Sequence, residues 1–232
     1  MLGVTAETTE GWRCSLLAPT VRLPLLDVQT PVATDHEPLA GTEQNERWTA
    51  WAGAVLFAML FAEGVTIAML WTGMGPDPIV ARAKPLHFIV GLALFVPVAQ
   101  KLASTGYRFA KYYTGDPAYK QAGPPKPLLR VIAPVLVLLT GEVLLTGLVA
   151  VMTSGTLRHQ LEELHKLGFF AWFVFAAVHV LAYVGRVPRL LRADLTGGEA
   201  GSRTRTYVTL TCVVLGGVLG LAASSALGIL GH

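Results

Sequence analysis

Five stretches of the chain are almost continuously apolar, and most of the charged residues lie between them. A helix needs about 20 mostly apolar residues to cross the hydrocarbon core of a bilayer, and it satisfies its own backbone polar groups there. The pattern therefore predicts an all-α integral membrane protein, a bundle of five transmembrane helices. The predicted spans run approximately from Trp48 to Trp71, Leu86 to Ala103, Leu128 to Met152, Leu167 to Gly185 and Val208 to Leu230.

The positions of these spans divide the chain into three parts. Residues 1–45 form a tail that we expect to be cytoplasmic and poorly ordered, and it lacks the basic start and apolar segment of a signal peptide. Residues 46–186 hold the first four helices, and residues 187–232 hold a basic loop and the fifth helix. Pro97 and Pro134 lie inside the second and third spans, where we expect them to kink the helix.

Composition supports the membrane prediction and excludes several classes of protein. Apolar residues make up 53% of the chain and charged residues only 14%, whereas soluble domains carry about 25% charged residues. The two cysteines, Cys14 and Cys212, form neither a disulfide framework nor a CxxC pair. The Lys and Arg residues flank the apolar runs, so we expect membrane lipid and no nucleic acid as a partner.

The distribution of basic residues predicts the orientation, because cytoplasmic loops carry an excess of Lys and Arg. The connections on one side of the membrane hold eleven of these residues and those on the other side hold four. The N-terminus is therefore expected in the cytoplasm and the C-terminus outside. The eleven are Lys101, Arg108, Lys111, Lys120, Lys126, Arg130, Arg186, Arg189, Arg192, Arg203 and Arg205, and the four are Arg82, Lys84, Arg158 and Lys166.

Three of the six histidines lie in or at the ends of apolar helices, namely His87, His165 and His179. Ionisable residues at that depth are costly and usually functional, although a histidine can also serve only as a polar contact to a neighbouring helix. The other three lie in the tail, in a polar connection and at the last position, where we expect no special role. These are His36, His159 and His232.

The spacing of the histidines predicts haem sites. His165 and His179 are 14 residues apart, which places them about 40° apart on one helix face and about 21 Å apart along the axis. The helices that carry His87 and His165 enter the membrane from the same side, and each histidine lies near that surface. We therefore expect these two to hold one haem iron. Gly91 and Gly168 lie one turn below them and either leave room for a porphyrin or allow close helix packing.

Three segments resemble a known family. Leu86–Pro97 is similar to its pattern His-x-x-x-Gly-Leu-Ala-Leu-x-x-Pro, and the fourth span carries two histidines 14 residues apart, as in that family. Glu46–Trp51 resembles a stretch that usually has a histidine before the tryptophan. The family is the bacterial cytochrome b561-like group, the membrane cytochrome b subunits of nickel-iron hydrogenases and formate dehydrogenases. The resemblance covers approximately Glu46 to Arg186.

The resemblance implies haem b ligation and an electron-transfer role. In the family, histidines at the positions of His87 and His165 bind an outer haem, and His179 with a first-helix histidine binds an inner haem. Ala50 stands at that first-helix position. The inner haem is therefore either absent or held through His179 with an unusual or missing second ligand. The function implied is a subunit of the bacterial cytoplasmic membrane that links a redox partner subunit on the outer face with the quinone pool in a multisubunit complex.

Two further carboxylates, Glu63 and Glu142, lie near the middle of their spans. They either contribute to a proton path or a quinone pocket, or they are protonated acids bonded to neighbouring helices. The chain has no nucleotide fingerprint, molybdenum site or iron–sulfur cysteine set, so no catalytic residue is predicted and substrate chemistry would lie on another polypeptide.

Two other functions remain open from the sequence. A reductase that passes electrons across the bilayer by itself would need two haems. A haem-free or single-haem membrane anchor or assembly subunit would keep the histidines as polar contacts, and the small residues from Gly216 to Leu227 suit packing against another subunit.

Overall fold

The computed structural model describes residues 40–124, 126–196 and 200–229, and within these ranges every regular element is a helix. The predicted tail lies outside the described residues except for its last six positions, which already belong to the first helix. The helices are α1 (Ala40–Thr72), α2 (Asp77–Val80), α3 (Ala83–Ala93), α4 (Phe95–Tyr113), α5 (Pro117–Gln121), α6 (Pro127–Met152), α7 (Gly155–Tyr183), α8 (Val187–Leu195) and α9 (Ser202–Ala226).

Five segments are long and apolar enough to span a membrane, which confirms the predicted all-α membrane bundle. They are α1 from Gly41, α3 and α4 taken together, α6, α7 and α9, and they contain 25 to 32 residues each. At 1.5 Å per residue these helices are about 37–48 Å long, more than the ~30 Å of a hydrocarbon core. Large apolar side chains are exposed along them, for example Phe61, Leu138 and Leu181. Such surfaces suit contact with lipid.

The helices extend beyond the predicted apolar windows. Helix α1 begins eight residues before Trp48, and α7 begins at Gly155, so His159 lies on a helix and not in a loop. Lys101 and Arg108, predicted in a connection, lie on α4. Lys, Arg and Glu are good helix formers, so a helix continues where the apolar pattern stops. Only Thr153 and Ser154 separate α6 from α7.

The second span is interrupted at Leu94, between α3 and α4. Pro97 has no N–H group and cannot bond to the carbonyl of Ala93, four residues earlier. This places the interruption where a proline effect was predicted. Pro134, by contrast, lies inside α6, which is continuous from Pro127 to Met152.

Helix α9 packs closely on α3 through two glycines. A Cβ atom on Gly216 would collide with the carbonyl oxygen of Ala93, and one on Gly220 with that of Ile89. The backbones can approach this closely only because both residues lack a side chain. The small residues of the fifth helix, for which a partner subunit was considered, thus serve contacts within the chain.

A buried ion cluster joins α1, α8 and α9. The Asp194 carboxylate accepts hydrogen bonds from Arg47 (2.9 Å), Arg205 (2.7 and 2.8 Å) and Trp51 (2.9 Å). Burial alone would raise the pKa of Asp194, but these donors outweigh it and hold the pKa below its usual value. We call this end of the bundle the arginine end, and the opposite end, which carries His87 and His165, the histidine end.

Candidate functional site

At the histidine end, α3 presents His87 to a carboxylate of α1. The Nδ1 atom of His87 lies 2.7 Å from Oε2 of Glu63, whose side chain is buried. The hydroxyl of Thr66 lies 3.0 Å from the same oxygen. An ionised carboxylate can only accept hydrogen bonds, so a neutral His87 ring beside it carries its proton on Nδ1 and keeps the lone pair on Nε2. The predicted proton or quinone residue Glu63 is therefore the partner of a histidine.

His165 of α7 makes the corresponding contact with the backbone of α6. Its Nδ1 lies 2.9 Å from the carbonyl oxygen of Val143, which can only accept. The ring fits against α6 because residue 147 is glycine: a Cβ there would lie 3.0 Å from Cε1 and 3.1 Å from Nδ1 of His165. Sequence reasoning missed Gly147, whose only signal was a glycine within an apolar helix.

The structure brings the two rings together, as the sequence predicted. Their centroids are 6.2 Å apart and their planes are 79° from parallel. Both Nδ1 atoms are engaged, which is the usual arrangement of metal-binding histidines, with Nε2 left for the metal. The donor set therefore fits a bis-histidine haem.

The space beside the rings is small. A cavity of about 150 Å³ is lined by His87, His165, Trp71 and Phe169, together with Ile67, Leu70 and Lys166. Cofactor pockets usually have about 300–1,000 Å³. A macrocycle therefore requires α7 to lie farther from α1 and α3 than it does in this arrangement.

The two glycines predicted to leave room for a porphyrin adjoin carboxylates. A Cβ on Gly91 would lie 3.1 Å from Oε1 of Glu63, and one on Gly168 would coincide with the carboxyl group of Glu142. Both carboxyl oxygens of Glu142 are buried and lack a hydrogen-bond partner among the described residues. The hydroxyl of Thr146 donates to the backbone carbonyl of Glu142 instead (2.7 Å).

No family model, curated protein or solved structure matches the chain. The resemblance to the cytochrome b561-like group therefore stays a prediction, and the site is argued from its own geometry. Within the described ranges, no group of three or more His, Cys, Asp or Glu residues could hold a metal ion. Haem iron differs from such ions because it needs only axial ligands from the protein.

His179 lies apart from this pair, toward the arginine end of α7. Its Nδ1 is buried without a hydrogen-bond partner among the described residues, and its ring lies 5.1 Å from that of Tyr183. The structure thus gives His179 no second histidine, in agreement with the absence of one at Ala50. Of the three histidines for which no special role is expected, His36 and His232 lie outside the described residues.

A larger cavity of about 510 Å³ lies between α1 and α4 near the arginine end. Its lining includes Asn45, Trp48, Gln100 and Tyr107. The side-chain nitrogen of Asn45 and the side-chain oxygen of Gln100 are buried and lack partners in the described part of the chain. Asn45 precedes Glu63 by 18 residues, so this cavity lies about 27 Å from the histidine pair along α1.

Proposed function

We propose that this chain is a haem b-containing electron-transfer subunit of a membrane oxidoreductase. The observation that carries the proposal is the pair His87 and His165, whose ring centroids lie 6.2 Å apart and whose Nδ1 atoms both have hydrogen-bond partners, which leaves each Nε2 for a metal. The resemblance of the first, second and fourth spans to bacterial membrane cytochromes b supports it independently.

The residues around the pair have distinct roles in this proposal. His87 and His165 would hold the haem iron, and a haem held by two imidazoles would supply one-electron transfer. Glu63 and the Val143 carbonyl orient the rings and increase the basicity of Nε2. Trp71 and the aromatic side chains of α7 keep water away; Trp71 stacks on Phe170 with a centroid separation of 5.5 Å.

The excess of basic residues in the connections at the arginine end supports an orientation in which the histidine end faces the outside of a bacterial cytoplasmic membrane. A redox partner subunit on the outer face would then exchange electrons with the haem, and quinone would reach it from the bilayer. The cavity near Asn45 is about 27 Å from the pair, which favours quinone exchange at the histidine end.

The test is haem content. The protein is expressed in a bacterial membrane, purified in detergent and assayed by the pyridine haemochrome method. We expect a b-type spectrum that is lost in His87→Ala and in His165→Ala. His159→Ala, on the same helix as His165, is the matched control and should retain the haem. Purified protein without haem contradicts the proposal.

A haem-free anchor or assembly subunit is the second candidate. The lack of free space at the site favours this candidate, since Glu63 binds His87 and the carboxyl group of Glu142 fills the space beside Gly168. In that case the native protein contains no haem, and His87→Ala lowers stability without changing any spectrum.

A further inference from the structure

A lysine of α4 lies against the turn of α1 that contains Ala50. Lys101 reaches from α4 to α1, where its Nζ donates a hydrogen bond of 2.7 Å to the carbonyl oxygen of Thr49. A Cβ on Gly53 would lie 3.2 Å from this Nζ. An ammonium in an apolar span is costly and normally has a polar partner. Here no carboxylate of the described residues is within ion-pair distance, and the partner is a backbone carbonyl.

The lysine is held in this position by a second contact between the same helices. The hydroxyl of Ser104 lies 3.1 Å from the hydroxyl of Thr49 and donates to the carbonyl of Lys101 (3.0 Å). The side chain therefore bridges α1 and α4 at one defined turn of each helix. Ala50 belongs to this turn of α1, and its side chain is 4% exposed.

The surroundings of His179 differ from those of the first histidine pair in the partners of the ring and in the charge beside the nearby glycine. His165 has an acceptor for Nδ1 and a facing histidine, whereas the Nδ1 of His179 has no partner in the described residues. Gly53 follows Ala50 by three residues, as Gly168 follows His165. The open side of Gly53, however, holds a positive charge. A second haem does not fit this donor set.

We propose that Lys101 takes the place of a second haem, so that the chain holds one haem and exchanges electrons only at the histidine end. This inference rests on the proposed function. His165 and His179 are separated by about 21 Å along α7. Without a cofactor near His179, no carrier in the described chain relays an electron toward the arginine end. The chain then does not conduct electrons across the bilayer by itself.

The experiment measures haem per protein and the number of components in a potentiometric titration. The native protein should contain one haem and titrate with one midpoint potential. His179→Ala and Lys101→Ala should each leave both values unchanged. The double variant Ala50→His/Lys101→Ala supplies a histidine and removes the ammonium, so it should bind a second haem and show a second component. Ala50→His alone, with Lys101 retained, should stay at one haem.

The outcomes separate this inference from the proposed function. Two haems in the native protein, or a loss of half the haem in His179→Ala, overturn the inference and leave the haem proposal standing. A double variant that stays at one haem shows that Lys101 is not what excludes the second. No haem in the native protein overturns both. If the double variant does not fold, the native protein and His179→Ala still decide.

Discussion

The two imidazoles at the histidine end differ in the group that accepts the hydrogen bond from Nδ1. For His87 it is the buried carboxylate of Glu63, and for His165 it is a neutral carbonyl. A carboxylate increases the electron density on the ring more strongly, and partners of this kind tune both affinity and redox potential. The carboxylate of Glu63 therefore stabilises the oxidised iron of the proposed haem.

Replacing Glu63 with Gln tests this effect. We expect a higher haem midpoint potential and a haem affinity lower by about 10-fold, since the amide donates less charge to His87. Potentiometric titration of the purified variant measures the change. Glu142→Gln is the control, because Glu142 contacts no histidine nitrogen in the described residues, and equal shifts in both variants would contradict the role of Glu63.

Gly147 allows a comparison between two glycines of one helix. Gly147→Ala forces the ring of His165 away from α6, which weakens its bond to the Val143 carbonyl and should lower haem affinity about 10-fold. Gly141, also in α6, has nothing within 4 Å of its Cβ position, so Gly141→Ala should retain full haem. Haem per protein after purification distinguishes them. Equal loss in the two variants would argue against a positioning role.

At the scale of helices, the contact of α9 with α3 depends on the absence of side chains. Gly216→Ala places a methyl group on the carbonyl of Ala93, and overpacking of this kind costs about 1–3 kcal/mol. Gly217 has nothing within 4 Å, so Gly217→Ala should be nearly neutral. Thermal unfolding in detergent measures both. A stable Gly216→Ala protein would mean that the two helices are not in close contact.

The attachment of α8 depends on one carboxylate. Asp194→Asn removes the carboxylate that the buried Arg205 binds, whereas Arg47 keeps its ion pair with Glu43, and the loss at Arg205 should cost about 3–5 kcal/mol of stability. Because the folded pKa is lowered, this stabilisation is present above the unfolded pKa of about 4 and is lost as the pH falls through the folded value.

Melting temperature against pH should therefore decline in acid for the native protein and decline less for Asp194→Asn. The exposed Asp77 serves as the matched site, and Asp77→Asn should follow the native curve. A native curve that is flat down to pH 3 would show that the pair contributes little.

The existence of the helices could be predicted from the sequence, but their ends and contacts could not. An apolar window of about 20 residues indicates a segment that lies in lipid, and all five predicted windows are helical in the structure, the second with an interruption at Leu94. They do not report where a helix stops, so the first turns of α7 before Leu167 were taken for a loop. The pairing of His87 with His165 could be predicted, because both lie near the same membrane surface at the ends of their spans. Gly147 and Lys101 depend on which helices are neighbours, and periodicity within one helix does not contain that information.

At the scale of the whole molecule, the uneven distribution of basic residues is the basis for orientation. A reporter enzyme that is active only outside the cytoplasm, fused after residue 232, should be active. The same reporter fused after Thr196 should be inactive, because that position follows α8 among the basic residues. The reverse result would place the histidine end in the cytoplasm and require a cytoplasmic electron partner.

The packing of α9 on α3 also has a consequence for biosynthesis. The helix that carries His87 packs on α9, which leaves the ribosome after the other four described spans and supplies no ligand. The α6–α7 hairpin can form soon after its synthesis, because its helices are neighbours in sequence. Glu63 of α1 can also bind His87 at this stage, but α3 gains its contact with α9 only after α9 has been made. A chain stalled before Ser202 would therefore contain every proposed ligand, but its helix α3 would lack the close contact with α9.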